Sequence, residues 1–296
     1  MSEQILGFRL NNGLLMPAIG IGCWMGIPFA GEGDHVTEMV KKALATGYRH
    51  IDTAANYGNE RSVGRALRES GVARGDIWIT TKLDHKDHGR VAQALDDSLA
   101  KLGVDYVDLY LVHWPLAVDP DTGRTLQPDE HPTIADTWAQ METLLLTGKT
   151  RTIGVSNFSI RTLSILLATH TKITPAVNQV EMHPYLPQHA LRAFCIERGI
   201  HLTAYSPLGK NELKEEEVLR GTSVVPKTSH EERMRENLQF LELSSEEMEA
   251  IDGLHTMSSG KHRSVCKFHS TEFGGSCFGW TYAQLGWNMT VGGVAN

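Results

Sequence analysis

The chain has 296 residues, 41% of them hydrophobic, enough for one large α/β barrel or two ordinary domains. A formal charge of −7 and a pI near 6.0 exclude a broadly basic nucleic-acid-binding surface and leave room only for a local polyanion site. No apolar run approaches the roughly 18 residues of a membrane span, and the start, with Glu3 and Arg9, lacks the apolar stretch of a signal peptide. Cys23, Cys195, Cys266 and Cys277 show neither metal nor disulfide spacing and fit a reducing cytosol, with a Cys266–Cys277 bridge as the exception to test.

Short β-rich runs alternate with amphipathic helical patterns. Leu14–Gly22 reads as a first strand, and Val36, Met39, Val40, Ala43 and Leu44 keep helical spacing. Tyr48–Asp52 is a second strand, followed by a helix from about Glu60 with Val63, Ala66 and Leu67 inward. Ile77–Thr81 is a strand ending at Lys82, and Val91, Leu95, Leu99 and Leu102 form a helix stripe. Tyr106–Val112 is an apolar strand ending at His113-Trp114-Pro115.

The Asp-, Pro- and Gly-containing stretch Leu116–Pro132 reads as a long loop, and Thr133 as the N-cap of a helix with Trp138, Met141, Leu144 and Leu145. Three more strand–helix pairs follow. They are Thr152–Val155 with Leu163, Leu166 and Leu167; Ala176–Val180 with Leu191, Phe194 and Cys195; and Ile200–Tyr205 with a short helix at Asn211–Arg220. Ser223–Val225 is a last strand before Pro226-Lys227, with a helix carrying Met234, Leu238 and Leu241. From about Gly260 an irregular, aromatic-rich tail is expected over the barrel mouth. About eight βα units in sequence imply parallel right-handed crossovers and a (β/α)8 TIM barrel, one domain over residues 1–296.

In such a barrel the functional groups sit at the C-terminal ends of the strands. Strands two, three and four end in Asp52 with Tyr57, in Lys82 and in His113. An Asp52–Lys82 pair alone could be mutual neutralisation; four titratable groups on one rim favour function. The chemistry that needs this set is proton donation by a phenol. A neighbouring ammonium favours the phenolate, a carboxylate holds the ammonium, and a histidine orients a substrate oxygen. A poised phenol aimed at an oxygen fits carbonyl reduction.

GYRHIDTAANYGNE (residues 47–60), LYLVHWP (109–115), GVSNF (154–158), VNQVEMHP (177–184), AYSPLG (204–209) and VPKT (225–228) together resemble the aldo-keto reductase family over nearly the whole chain. The tail is similar to those of fungal glycerol or glyceraldehyde reductases. The resemblance implies a cytoplasmic, monomeric, NADPH-dependent enzyme that reduces an aldehyde or ketone to the alcohol, with no membrane or nucleic-acid partner. It implies Tyr57 as general acid, Lys82 as its activator, Asp52 as the lysine's partner and His113 as the substrate-orienting group. It further implies Ser156, Asn157 and Gln179 at the nicotinamide carboxamide, Tyr205 stacked on the ring, and Ser206 and Leu208 at the pyrophosphate. Lys227, Thr228 and Arg233 match a 2′-phosphate clamp, Glu236 and Asn237 adenine contacts, and Trp24 and Trp114 substrate-pocket aromatics.

One departure stands out. Only Ser206–Thr222 separates strand seven from strand eight, where the family carries a longer cofactor-covering loop and helix. That length still exceeds the roughly 12 residues a parallel crossover needs. It opens an alternative, a catalytically impaired barrel acting as a cofactor-binding or regulatory protein. A barrel hydrolase would need clustered metal ligands or two facing carboxylates, and the strand ends carry neither. Gly20-Ile21-Gly22 has Met25 at the third glycine position, GVSNF lacks the last glycine of a nucleophile elbow, and no metal site is expected. His85 and His88 are expected to be solvated in a polar loop, and Lys214–Glu217 to be a solvated helix face.

Overall fold

The computed structural model describes residues 6–28, 31–169, 171–209, 221–239, 243–257, 262–269, 276–290 and 292–295. The expected first strand divides in two. β1 (Gly7–Arg9) and β2 (Leu15–Pro17) form an antiparallel hairpin with Phe8 opposite Met16. Ala18 N adds one more bond across the hairpin, to Leu6 O at 2.8 Å, and the chain turns before β3 (Ile21–Gly22) enters the barrel. Leu10 and Met16 from this hairpin region join Trp78, Leu109, Leu111, Ala176 and Val177 in a small apolar cluster.

The barrel strands continue with β4 (His50–Asp52), β5 (Trp78–Leu83), β6 (Leu109–Val112), β7 (Ile153–Ser156), β8 (Val177–Glu181), β9 (His201–Tyr205) and β10 (Ser223–Val225). Each lies parallel to its neighbour in sequence order. Closure falls between the first and last: Ile19 bridges Val224, Gly20 N donates to Val224 O at 2.8 Å, and Gly22 N donates to Pro226 O at 2.8 Å. A Cβ on Gly20 would lie 2.7 Å from the His50 ring, so only glycine permits this approach. The short connection does not prevent closure, since Ser223, Val224 and Val225 pair with Thr203, Ala204 and Tyr205. The helix expected at Asn211–Arg220, with Leu213, Val218 and Leu219, and the face Lys214–Glu217 lie outside the described residues.

Around the sheet run α1 (Asp34–Thr46), α2 (Glu60–Glu69), α3 (Val91–Leu102), α4 (Ile134–Leu144), α5 (Ile160–Ala168), α6 (His189–Glu197), α7 (Glu231–Glu236) and α8 (Ser245–Gly253). The apolar stripes of α1 and α3 are buried as their spacing predicts. Thr133 caps α4 in a reciprocal capping box with Asp136. Phe194 is half-buried, unlike its neighbours Leu191 and Cys195. The helix expected through Leu241 is shorter: α7 ends at Glu236, and Leu241 lies outside the described residues. The unforeseen α8 starts at Ser244, whose side chain and Glu247 form another capping box. No helix among the described residues is long and apolar enough to cross a membrane.

The described residues of the tail hold regular elements where an irregular course is expected. β11 (Ser276–Cys277) and β12 (Trp280–Thr281) form a hairpin, and α9 (Tyr282–Leu285) follows from a Thr281–Gln284 capping box. Trp280 is buried and donates from Nε1 to Leu126 O at 2.7 Å, tying the tail to the long loop after β6. Cys277, Trp280, Tyr282 and Leu285 belong to the same apolar core as the barrel helices. All four cysteines are free thiols, so Cys266 and Cys277 are not bridged. The loop, α4 and the tail together correct the reading of His85 and His88 as solvated. His88 is buried with Nδ1 3.1 Å from Thr137 Oγ1, and His85 lies with its ring 5.5 Å from Phe278 while its carbonyl accepts from Val118 N.

Candidate active site

Asp52 ends β4 and Lys82 lies within β5, both buried. Lys82 Nζ donates to Asp52 Oδ1 at 2.5 Å and to Thr53 O at 2.9 Å, and it lies 3.5 Å from Tyr57 OH. The second oxygen of Asp52 accepts from Gln179 Nε2 at 2.6 Å. Both carboxylate oxygens are thereby committed, which fixes the ammonium under the phenol.

Tyr57 closes a 3-10 turn, Ala55–Tyr57, that ends on left-handed Gly58. Asn59 holds this turn in place: its Nδ2 donates to Cys23 O at 2.7 Å and its Oδ1 accepts from Thr53 Oγ1 at 2.8 Å. The sequence reading gave Asn59 no role. The signal is its place between the end of β4 and the start of α2, where a polar side chain has backbone groups to satisfy. His113, at the end of β6, has its ring 5.7 Å from that of Tyr57 and nearly perpendicular to it. Trp24 lies 5.0 Å from the Tyr57 ring, and Trp114 packs against Phe268 and Phe278 of the tail.

The electrostatics differ in one respect from the expectation of a lowered phenol. Burial raises the Tyr57 pKa and outweighs the opposing pull of Lys82, so the phenol keeps its proton. For Lys82 burial works toward neutrality, but Asp52 and Tyr57 overcome it and the ammonium stays charged. His113 is held well below the ordinary histidine range by burial, then by Lys82 and His85, and is neutral. The arrangement is a protonated phenol against a fixed cation, beside a neutral imidazole.

A second group gathers at β7 to β9. Ser156 Oγ donates to Gln179 O at 2.8 Å. Asn157, at φ 63°, donates from Nδ2 to His113 O at 3.0 Å and accepts from Tyr205 OH at 2.8 Å. Ser206 also takes a left-handed φ of 51°, its carbonyl accepts from Gly209 N, and Leu208 is half-buried. Lys227 and Thr228 leave the end of β10, with Thr228 Oγ1 accepting from His230 N at 3.1 Å. Arg233 and Glu236 are exposed on α7, and Asn237 caps it. Neither Lys227 nor Arg233 has an ion-pair partner among the described residues, whereas Arg235 on the same helix pairs with Glu231 at 2.5 Å. Two free cations beyond a strand end fit a phosphate group. A cavity of about 340 Å³ borders Asn157, Glu181 and Tyr205 on the barrel side and Phe268 and Trp287 on the tail side. Among the described residues no cluster of His, Cys, Asp or Glu could hold a metal ion.

A barrel with this strand-end constellation is the architecture of a carbonyl-reducing enzyme family, and comparison with known proteins agrees. Residues 18–221 match the model of the Aldo/keto reductase family. The chain is 42% identical to glycerol 2-dehydrogenase (NADP(+)) of Saccharomyces cerevisiae, covering 89% of this chain and 94% of that protein. It is 41% identical to D-galacturonate reductase of Hypocrea jecorina, covering 83% and 89% respectively. Among solved structures, an aldose reductase from Schistosoma japonicum superposes with a TM-score of 0.73 at 34% identity, over 83% of this chain and 91% of that one. The chain belongs to the aldo/keto reductase family. The yeast alignment runs over 302 positions, more than the whole chain, while using 89% of it. That relative therefore carries residues that have no counterpart here.

Proposed function

We propose that Tyr57 is the general acid of an NADP-dependent reduction of an aldehyde or ketone to the alcohol, with Lys82, Asp52 and His113 as its partners. The chain is an aldo/keto reductase, and its substrate is a small carbonyl compound. The observation that carries the site reading is the buried ammonium of Lys82, bonded to Asp52 Oδ1 at 2.5 Å and 3.5 Å from Tyr57 OH. Burial keeps the phenol protonated until a substrate oxygen needs the proton. The fixed cation then stabilises the phenolate left behind, without reorganisation. Gln179 holds the far oxygen of Asp52, so the ammonium cannot swing away. Neutral His113 has an N–H to direct the carbonyl oxygen toward Tyr57, and Trp24 beside Tyr57 and Trp114 beside His113 would flank the bound substrate.

NADPH, when bound, supplies the hydride for the carbonyl carbon. Ser156, Asn157 and Gln179 would hold its carboxamide, Tyr205 its ring, and Ser206 and Leu208 its pyrophosphate. Lys227, Thr228 and Arg233 would hold the 2′-phosphate, and Glu236 and Asn237 the adenine. The free cations at Lys227 and Arg233 support the phosphate end of this assignment. Residues 1–296 are read as one domain that works as a monomer in the cytosol; the four free thiols fit a reducing compartment. A barrel without turnover is not favoured, since the buried ion pair and phenol are all in place.

The deciding experiment is Tyr57→Phe. NADPH binding, followed by protein fluorescence, should persist, while turnover falls by at least about 100-fold, the lower end of what general acid catalysis contributes. A variant that keeps more than about half of the activity would remove Tyr57 from the role.

A further inference from the structure

We propose that Glu181 is the anchor holding the C-terminal segment over the barrel mouth, a positioning residue that sets which carbonyl compounds fit. Glu181 is the last residue of β8, two positions after Gln179, and is only 5% exposed. Its carboxylate is the meeting point of two distant parts of the chain. Oε1 accepts from Val265 N at 2.8 Å and lies 3.2 Å from His183 Nε2, and Oε2 accepts from Ser264 Oγ. Ser264 Oγ in turn accepts from Cys266 N at 3.0 Å. The reaction needs none of these bonds, because Glu181 touches neither Tyr57, Lys82 nor His113 in the described contacts.

A buried carboxylate is costly unless it is well bonded, and bonds to an ionised group are among the strong ones. Burial alone would raise the Glu181 carboxyl, but the bonds from His183, Ser264 and Val265 outweigh it and hold the group below the ordinary carboxylate range. The anchored segment then reaches the pocket. Four residues beyond Ser264, Phe268 stands edge-on to Trp114 at 5.1 Å, next to His113. The other end of the tail follows the same anchor, since Ser264 N donates to Gly293 O and Ala295 N donates to His262 O. Glu181 thus fixes an aromatic wall that a small carbonyl compound need not touch and a larger one must. The selectivity part of this inference rests on the reading of Tyr57 and His113 as the reacting end.

The test is Glu181→Gln in the full chain. Hydrogen exchange of the segments 262–269 and 292–295 should accelerate several-fold, because charge-assisted bonds to the tail are weakened. With NADPH, KM for an aryl aldehyde such as 4-nitrobenzaldehyde should rise by about tenfold with kcat within about twofold, the signature of lost binding rather than lost chemistry. For propanal, kcat/KM and the NADPH Kd should stay within about twofold. Ser264→Ala, which removes one donor and leaves the carboxylate, should give the same pattern more weakly and serves if the first variant does not fold. Unchanged exchange in the tail overturns the anchor. Equal loss for both aldehydes, or weakened NADPH binding alongside, overturns the selectivity role. If the unmodified protein reduces neither aldehyde, the reading of the site fails, and the exchange result still decides the anchor.

Discussion

Arg233 and Lys227 show what a single side chain can decide at the cofactor end. Both are exposed without an ion-pair partner among the described residues, and NADH lacks the phosphate they would meet. Charge-assisted hydrogen bonds contribute about 1.5–3 kcal/mol each, so NADPH should be preferred by at least about tenfold in kcat/KM. Arg233→Met should erase most of that preference and leave NADH use nearly unchanged; equal use of both cofactors by the unmodified protein would sink the clamp. Tyr57 shows the limit of residue-level reading. Its neighbour Lys82 was legible from the strand ends, and so was the direction in which an ammonium pulls a phenol. The net rise was not, because it depends on how much water the folded pocket excludes.

At the scale of elements, α2 and α3 meet at Gly64. A Cβ there would lie 2.2 Å from Leu102 O, a backbone atom that cannot rotate aside. Forcing extra volume into such a contact costs about 1–3 kcal/mol, which exceeds the roughly 1 kcal/mol of helix propensity that alanine gains over glycine. Gly64→Ala should therefore lower the urea midpoint. Gly75→Ala, with nothing within 4 Å, should leave it nearly unchanged. If both variants unfold at the parent midpoint, the contact has been misjudged. Helix starts were partly legible. Thr133 reads as a cap because an apolar stripe follows a long polar loop, whereas few apolar residues follow Ser244, although Glu247 stands at the capping-box position. The tail hairpin β11–β12 left no such trace. Its strands are two residues each, and Phe278 between them is held at φ 51° by a bond from Thr125 Oγ1, 153 residues earlier.

The whole molecule should respond to pH through histidines buried in neutral form. Burial pushes His50 down to about 4 and His88 down to about 3. In the unfolded chain both titrate near 6.5. Between those values the unfolded state binds protons that the folded state refuses, so stability falls as pH drops from about 6.5 toward 4 and recovers as pH rises. Each histidine contributes a slope of at most about 1.4 kcal/mol per pH unit, and above about pH 7 neither contributes any. The lowered carboxyl of Glu181 adds a loss in the same direction at lower pH. Urea unfolding free energies measured from pH 4.5 to 7.5 check this, and a flat profile would contradict it.

From sequence alone, the period of the apolar residues and the order of the strand ends were enough to determine a parallel barrel and to bring Asp52, Tyr57, Lys82 and His113 to one rim. Such patterns are local, and the right-handed crossover rule converts them into topology without knowledge of any contact. Three things only the tertiary structure decided. The barrel closes through Ile19 and Val224, the tail locks onto Glu181, and Gln179 pins the second oxygen of Asp52. Each joins residues that are 205, 84 and 127 positions apart respectively. Contacts at that separation leave no periodicity and no neighbouring motif, because they depend on which side chains the closed barrel and its tail bring within hydrogen-bonding distance.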